Sequence, residues 1–365
     1  MEKLPFVIEY HIMSLNSRKS LVTLFALILT LFLFGCGRLS SPVAKSGFYF
    51  DTFITVTIYD IRDASEAHLD QVFAKLFSEA DRYEHLFSRT LPDSDLYRIN
   101  ASKGEPTEVD KETAVLLETA LNFAEKTEGR IDPSIGAVSS LWDFHLEQEP
   151  KLPDPDKITS ALSHVDYTKV HVEYEGNHAY VRTEDPEMIL DLGFIAKGYI
   201  ADRMKELLLA EGVSSAIINL GANILVVGEK PEGKPFQVGV QKPFGNTGEI
   251  LTKASVSDAS VVSSGNYERY FILDDILYHH ILDTATGYPA DTGLTETTIF
   301  CPDSTTADAL STTCFLLGEE AGKKLIEELN SAGYEKDGRI EAIFVRSDGS
   351  ISMTKGLSEP LEYLR

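Results

Sequence analysis

Cysteine is scarce in this chain. Only Cys36, Cys301 and Cys314 occur among 365 residues. So low a count excludes a disulfide scaffold, and Cys301 and Cys314 are expected to be small buried residues. Positive charge is also short. Lys and Arg number 33 against 57 Asp and Glu, for a net charge of −24. A nucleic-acid binder needs clustered Lys and Arg to meet phosphates, so the balance argues against that class. The same balance argues against binding anionic lipid through the body of the protein. An anionic ligand would need local help, from a metal ion or from backbone N–H groups. The chain has no internal repeat, no low-complexity tract and no linker long enough to force a domain cut.

What is present begins with a targeting pattern. Arg18 and Lys19 precede an apolar run over 21–34, followed by Gly35 and Cys36. The order of basic region, apolar region, small residue and Cys is that of a bacterial lipoprotein signal. The run falls short of the about 20 residues that span a bilayer. Residues 1–35 are therefore expected to be a signal peptide, with Met13 a more ordinary start than Met1. Cys36 is the expected lipidation site, and 36–47 a tether. The mature protein is then exported and held at the extracytoplasmic face of a bacterial membrane. Removal of 1–35 leaves the rest just as acidic.

The remaining residues, 48–360, read as one α+β domain. Hydrophobic residues make up 43% of the chain, enough for a sizeable core. Alternation predicts a strand over 48–59, and apolar residues at helical spacing predict a long helix over 65–87. A polar loop is expected through Asn100, then helices over 111–127 and 134–142. A surface loop follows over 149–156. Gly176-Asn177 and Asp274-Asp275 mark hairpin turns. Further helices are expected over 195–210, 306–317 and 319–332. Strands are expected over 216–220, 224–227, 236–241, 295–300, 342–345 and 351–354. Strand signals in both halves favour a single interwoven domain with mixed or antiparallel sheets flanked by helices.

Several clusters carry chemistry, each beside a plainer reading. GRIDPSIG (129–136) places Asp132 before Pro at a helix entrance, where anions bind or where Asp merely caps. DLGFIAKGY (191–199) offers Asp191 as acceptor and Lys197 as phosphate partner, or else a capped strand-to-helix turn; Asp202 beyond it reads as surface or structural. NLGAN (219–223) is a tight turn or a backbone cradle. SSGNYERY (263–270) precedes HHILDTATGYP (279–289). Adjacent strand residues face opposite ways, so His279 and His280 make a poor metal pair, and no further Cys or His completes a zinc set. In ADALSTT (307–313), Asp308 and Thr312 share a helix face. Their hard oxygens suit Mg²⁺ or Mn²⁺ with phosphates completing the shell, or else they are an ordinary first-turn Asp and a helical Thr.

Taken in order, from Ser88 and Ser94-Asp95 through these six blocks, the sequence resembles the FAD:protein FMN transferase (ApbE) family over nearly all of 48–354. The resemblance implies Mg²⁺ at Asp308, Thr312 and the carbonyl of Phe194. It implies FAD contacts at Asp51, Thr90, Arg130, Ile131, Asp132, Asp191, Lys197 and Ile281. Phe194 stands where the family has a small residue, and Phe50-Asp51-Thr52 where it often has Met-Gly-Thr. The implied activity is transfer of FMN from FAD to a Thr or Ser hydroxyl of a redox protein, with release of AMP. Asp283 or His280 is the candidate base. A Mg²⁺-dependent FAD pyrophosphatase would use the same residues with water as acceptor. A flavin-binding lipoprotein without catalysis would need neither Asp308 nor Thr312.

Overall fold

The computed structural model describes residues 39–142, 144, 149–246, 248–334 and 338–357, with the backbone of 362 and 363. The signal peptide and Cys36 lie outside the described residues. Among those described, no helix is long and apolar enough to cross a membrane.

The strands are β1 (Val43–Tyr49), β2 (Thr52–Ile61), β3 (Thr107–Val109), β4 (Val170–Glu175), β5 (His178–Thr183), β6 (Val213–Asn219), β7 (Asn223–Gly228), β8 (Phe236–Gln241), β9 (Ile250–Val256), β10 (Ser260–Gly265), β11 (Tyr270–Leu273), β12 (Ile276–His279), β13 (Leu294–Cys301), β14 (Glu341–Arg346), β15 (Ile351–Met353) and β16 (Glu362–Tyr363). The helices are α1 (Glu66–Phe87), α2 (Asp95–Ala101), α3 (Lys111–Lys126), α4 (Gly136–Ser139), α5 (Pro155–Leu162), α6 (Ala196–Ala210), α7 (Ser304–Leu317) and α8 (Glu319–Ser331). The class is α+β, as the sequence pattern led one to expect.

An eight-stranded sheet in the order β1-β2-β6-β7-β10-β13-β14-β15 forms the centre. Each neighbouring pair is antiparallel. Side chains alternate across it, and the two faces have different covers. Ile54, Val56, Leu225, Val227, Val262, Ile299 and Phe344 enter the main core beneath the helices. Their neighbours Val226, Val261, Phe300 and Ile343 pack against Phe236, Val238 and Val256 of the small sheet β16-β9-β8. Helix α7 lies on the helical face and is buried nearly all round, which its run of apolar and small residues permits. Helix α1 presents Leu69, Val72, Phe73, Leu76, Ala80, Tyr83 and Phe87 to the same core. Ser65 caps it, accepting from the His68 N–H at 3.4 Å.

Some expectations need correction. The strand expected over 48–59 is a hairpin, broken at Phe50 and Asp51, both with φ of 55°. Two consecutive left-handed residues form the tight turn that suits the twist of antiparallel strands. β1 takes up residues from Val43 onward, within the stretch expected as a tether. The polar loop before residue 100 contains α2, capped by Ser94. Pro155 at its first turn starts α5 inside the expected loop over 149–156. The second strand of the hairpin at Asp274-Asp275, expected over 277–282, stops at His279.

Candidate active site

The site forms where α6 crosses α7 over the central sheet. Gly198, in the first turn of α6, makes that crossing possible. A Cβ at this position would stand 2.2 Å from the Ser304 carbonyl oxygen and 2.7 Å from the Asp308 Cβ. With glycine there, the Gly198 N–H donates to Asp308 Oδ2 at 2.8 Å. The Asp308 residue is only 4% exposed. Its Oδ1 lies 3.9 Å from Lys197 Nζ, an ion pair without a direct hydrogen bond. Burial pushes the Asp308 carboxyl up, and Lys197 and the Gly198 N–H oppose that shift. Lys197 also approaches the Gly193 carbonyl at 3.4 Å.

One turn along α7, Thr312 Oγ1 is 3.1 Å from Ser264 Oγ, which in turn lies 2.7 Å from Ser311 Oγ. Asp308 and Thr312 therefore share one helix face beside β10, as their spacing implied. Phe194 packs against the main core just before α6. A cation fits this donor set. A buried carboxylate and a hydroxyl are hard ligands, and Mg²⁺ takes few protein ligands, its shell being completed by water and phosphate oxygens. Beside Asp308, the fully buried Asn223 acts on the carboxylate through its amide and helps to hold it charged. Among the described residues no three His, Cys, Asp or Glu are grouped to hold a metal.

The double His divides into a structural and an available member. His279 is buried; its Nε2 donates to the Ala290 carbonyl at 3.1 Å and its Nδ1 accepts from the Ile281 N–H at 3.3 Å. Burial pushes it down to about 4. His280 Nδ1 donates to the Arg269 carbonyl at 3.3 Å. Its Nε2 is left as an acceptor with no partner among the described residues. Burial first, then the Arg269 guanidinium, push this ring down to about 3, so it is neutral at pH 7. The His280–Arg269, Ser264–Thr312 and Gly198–Asp308 contacts run from one block to the next. These contacts join HHILDTATGYP, SSGNYERY, DLGFIAKGY and ADALSTT into one site.

A second set closes around the loop of GRIDPSIG. Arg130 donates to Asp283 Oδ2 at 3.2 Å, and Thr284 Oγ1 donates to the Gly129 carbonyl at 2.7 Å. Asp283 Oδ1 accepts from the Ala285 N–H at 2.7 Å. The Asp191 N–H donates to the Pro133 carbonyl at 2.7 Å, tying in the turn before α6. Arg89, which no sequence motif marks, lies 3.5 Å from Asp191 Oδ2 and donates to Ser139 Oγ at 2.9 Å. Only its position next to Thr90 could have drawn attention to it.

Three expected FAD contacts have their polar groups engaged within the protein. The Asp132 carboxylate accepts from the Ser134 N–H at 2.8 Å, the Ser134 hydroxyl at 2.6 Å and the Tyr167 N–H at 3.0 Å, the capping alternative. Ile131 is buried in the main core. Ile281 is buried too, with its N–H on His279 and its carbonyl accepting from the Ala290 N–H. Asp51 and Thr90 are exposed, at the β1–β2 turn and the turn after α1, and the Thr90 N–H donates to Ser88 Oγ at 3.3 Å. Asp202 proves structural and buried: its carboxylate accepts from the N–H groups of Ser304 and Thr305 and from the Thr305 hydroxyl, capping α7.

The ApbE family model matches residues 50–335. A protein of Treponema pallidum named FAD:protein FMN transferase is 36% identical over 327 residues, covering 86% of this chain and 87% of its own. One of the same name from Haemophilus influenzae is 30% identical, covering 87% and 92%. The crystal structure of an ApbE protein from Thermotoga maritima superposes with a TM-score of 0.76 at 29% identity, covering 87% of this chain and 98% of that one.

Proposed function

The chain belongs to the ApbE family, and on that premise we propose that it is an FAD:protein FMN transferase. It takes FAD as donor and joins FMN to a Thr or Ser hydroxyl of an acceptor redox protein, releasing AMP. The observation that carries this reading is the buried Asp308 beside Thr312 and Lys197, in a chain with a large acid surplus. Such a chain cannot hold a diphosphate by its surface charge. Asp308, Thr312 and the Phe194 carbonyl would hold Mg²⁺ or Mn²⁺. When bound, that cation neutralises the diphosphate and stabilises charge on its oxygens.

The chain's own residues supply the rest. Lys197 faces the same space and adds one positive charge. Arg89 and Asp191, with the Arg130–Asp283 pair, frame the approach. The acceptor hydroxyl oxygen attacks the flavin-side phosphorus, and the bond from that phosphorus to the oxygen of the AMP leaving group breaks. The hydroxyl proton passes to a base. Asp283 already holds Arg130 and the Ala285 N–H, whereas His280 is neutral with Nε2 open. His280 is therefore the better placed of the two. Export and lipid attachment at Cys36 belong to the same proposal and rest on the basic-apolar-Cys order of the leader.

The test is to incubate the protein with FAD, Mg²⁺ and a candidate acceptor domain. Covalent flavin fluorescence on the acceptor, lost with Asp308→Ala, supports transfer. Free FMN with AMP and an unlabelled acceptor means a pyrophosphatase, and no AMP at all means a binder. Full activity of Asp308→Ala removes the cation from the reading.

A further inference from the structure

The turn NLGAN closes β6 onto β7 and leaves Asn223 at the start of β7, wholly buried under the first turn of α7. A chain of hydroxyls fixes its amide. Ser260 Oγ donates to Ser304 Oγ at 2.8 Å, and Ser304 Oγ donates to Asn223 Oδ1 at 3.0 Å. All three residues are fully buried. Because Oδ1 is the acceptor of this relay, Nδ2 is turned the other way. It acts on the Asp308 carboxylate, favouring its charged form, without making a contact of full hydrogen-bond geometry to any group. A buried N–H left unpaired is costly, and such groups in folded proteins call for an explanation. The reverse orientation would set a carbonyl oxygen against a carboxylate.

We propose that Asn223 is a positioning residue for Asp308: its Nδ2, aimed by the Ser260–Ser304 relay, orients the carboxylate toward the cation. This rests on the cation reading of Asp308 given above. Groups that hold a ligating carboxylate set the ligand's direction, and their loss typically lowers metal affinity by about 10- to 100-fold. The relay explains why a polar side chain stands at the start of β7 with apolar residues following it in the strand. Ser304 has a double duty, since its N–H also meets Asp202 at 2.9 Å. One helix end thus ties the cap of α7 to the amide beside Asp308.

The test uses Mn²⁺ as the probe, titrated into the full chain by calorimetry and by the electron paramagnetic resonance of free Mn²⁺. ADP is present as a diphosphate that carries no flavin. Asn223→Ala is expected to weaken Mn²⁺ binding by about tenfold or more. Ser304→Ala keeps the amide but frees its orientation, and a smaller loss in the same direction is expected. The metal-free unfolding midpoint reports whether each variant is folded. If both variants bind Mn²⁺ as the parent does, the proposal is overturned. If Asn223→Ala does not fold, Ser304→Ala alone decides, and unchanged affinity overturns it. A parent that binds no Mn²⁺, or binds it no better than Asp308→Ala, sinks the cation reading itself.

Discussion

Gly198→Ala probes the crossing of α6 and α7 directly. The added Cβ would sit 2.2 Å from the Ser304 carbonyl oxygen. Carbon–oxygen contacts ordinarily begin at about 3.3 Å. Since the obstacle is backbone, no side chain can swing aside, and the two helices must part by about 1 Å to restore that distance. Overpacking of this kind costs about 1–3 kcal/mol. Alanine in a helix offsets about 0.5–1 kcal/mol of that, because glycine is the poorer helix former. The clash is the larger effect, so a net loss of about 1–2 kcal/mol is expected. Function should suffer more than stability. Parting the helices draws the Gly198 N–H away from Asp308 Oδ2, now 2.8 Å apart. Displacement of a reacting geometry by about 1 Å can lower a rate about 100-fold. Urea unfolding gives the first quantity, and the rate of flavin labelling of an acceptor gives the second. A variant within about 0.5 kcal/mol of the parent, with an unchanged labelling rate, would refute the close crossing as the basis of the site.

Other outcomes follow from buried carboxylates. Glu296 is fully buried and held by the hydroxyls of Tyr267 and Thr298, both at 2.6 Å, and burial pushes its carboxyl from 4.5 up to about 7. The unfolded chain ionises from pH 4.5 upward and the folded one only near 7, so stability is lost as pH rises through that window. Glu296→Gln removes this loss: relative to the parent, its unfolding free energy should rise by up to about 3 kcal/mol between pH 4.5 and 7.5, and a flat difference contradicts the account. Asp202→Ala leaves three donors of the first turn of α7 unpaired, with an expected loss of about 1–3 kcal/mol by denaturant unfolding; a neutral effect would deny the cap.

Much of this architecture is legible in local pattern, and the remainder depends on register. The spacing in α1, α3, α6 and α7 marks helices because each buries a long stripe, and Asp308 and Thr312 share a face for the same local reason. β9 and β10 went unread. β10 is small and hydroxyl-rich (SVVSSG), so it lacks the bulky alternation by which a strand announces itself, yet its serines meet Ser304, Ser311 and Thr312. Arg89 and Asp191 are 102 positions apart, and only the docking of α4 brings them together. Asp202 reads as surface or structural from its own neighbourhood; its partners arrive from α7. Asn223 reads as a turn residue because nothing nearby in sequence points to Asp308.

The most direct measurement of the central claim counts both products of one reaction. With FAD, Mg²⁺ and an acceptor domain, intact-mass spectrometry of the acceptor and chromatography of AMP are followed together. The account requires the acceptor to gain FMN less one water, AMP to appear in equal amount, and both to vanish with Asp308→Ala. AMP appearing alongside free FMN, with the acceptor mass unchanged, would contradict it.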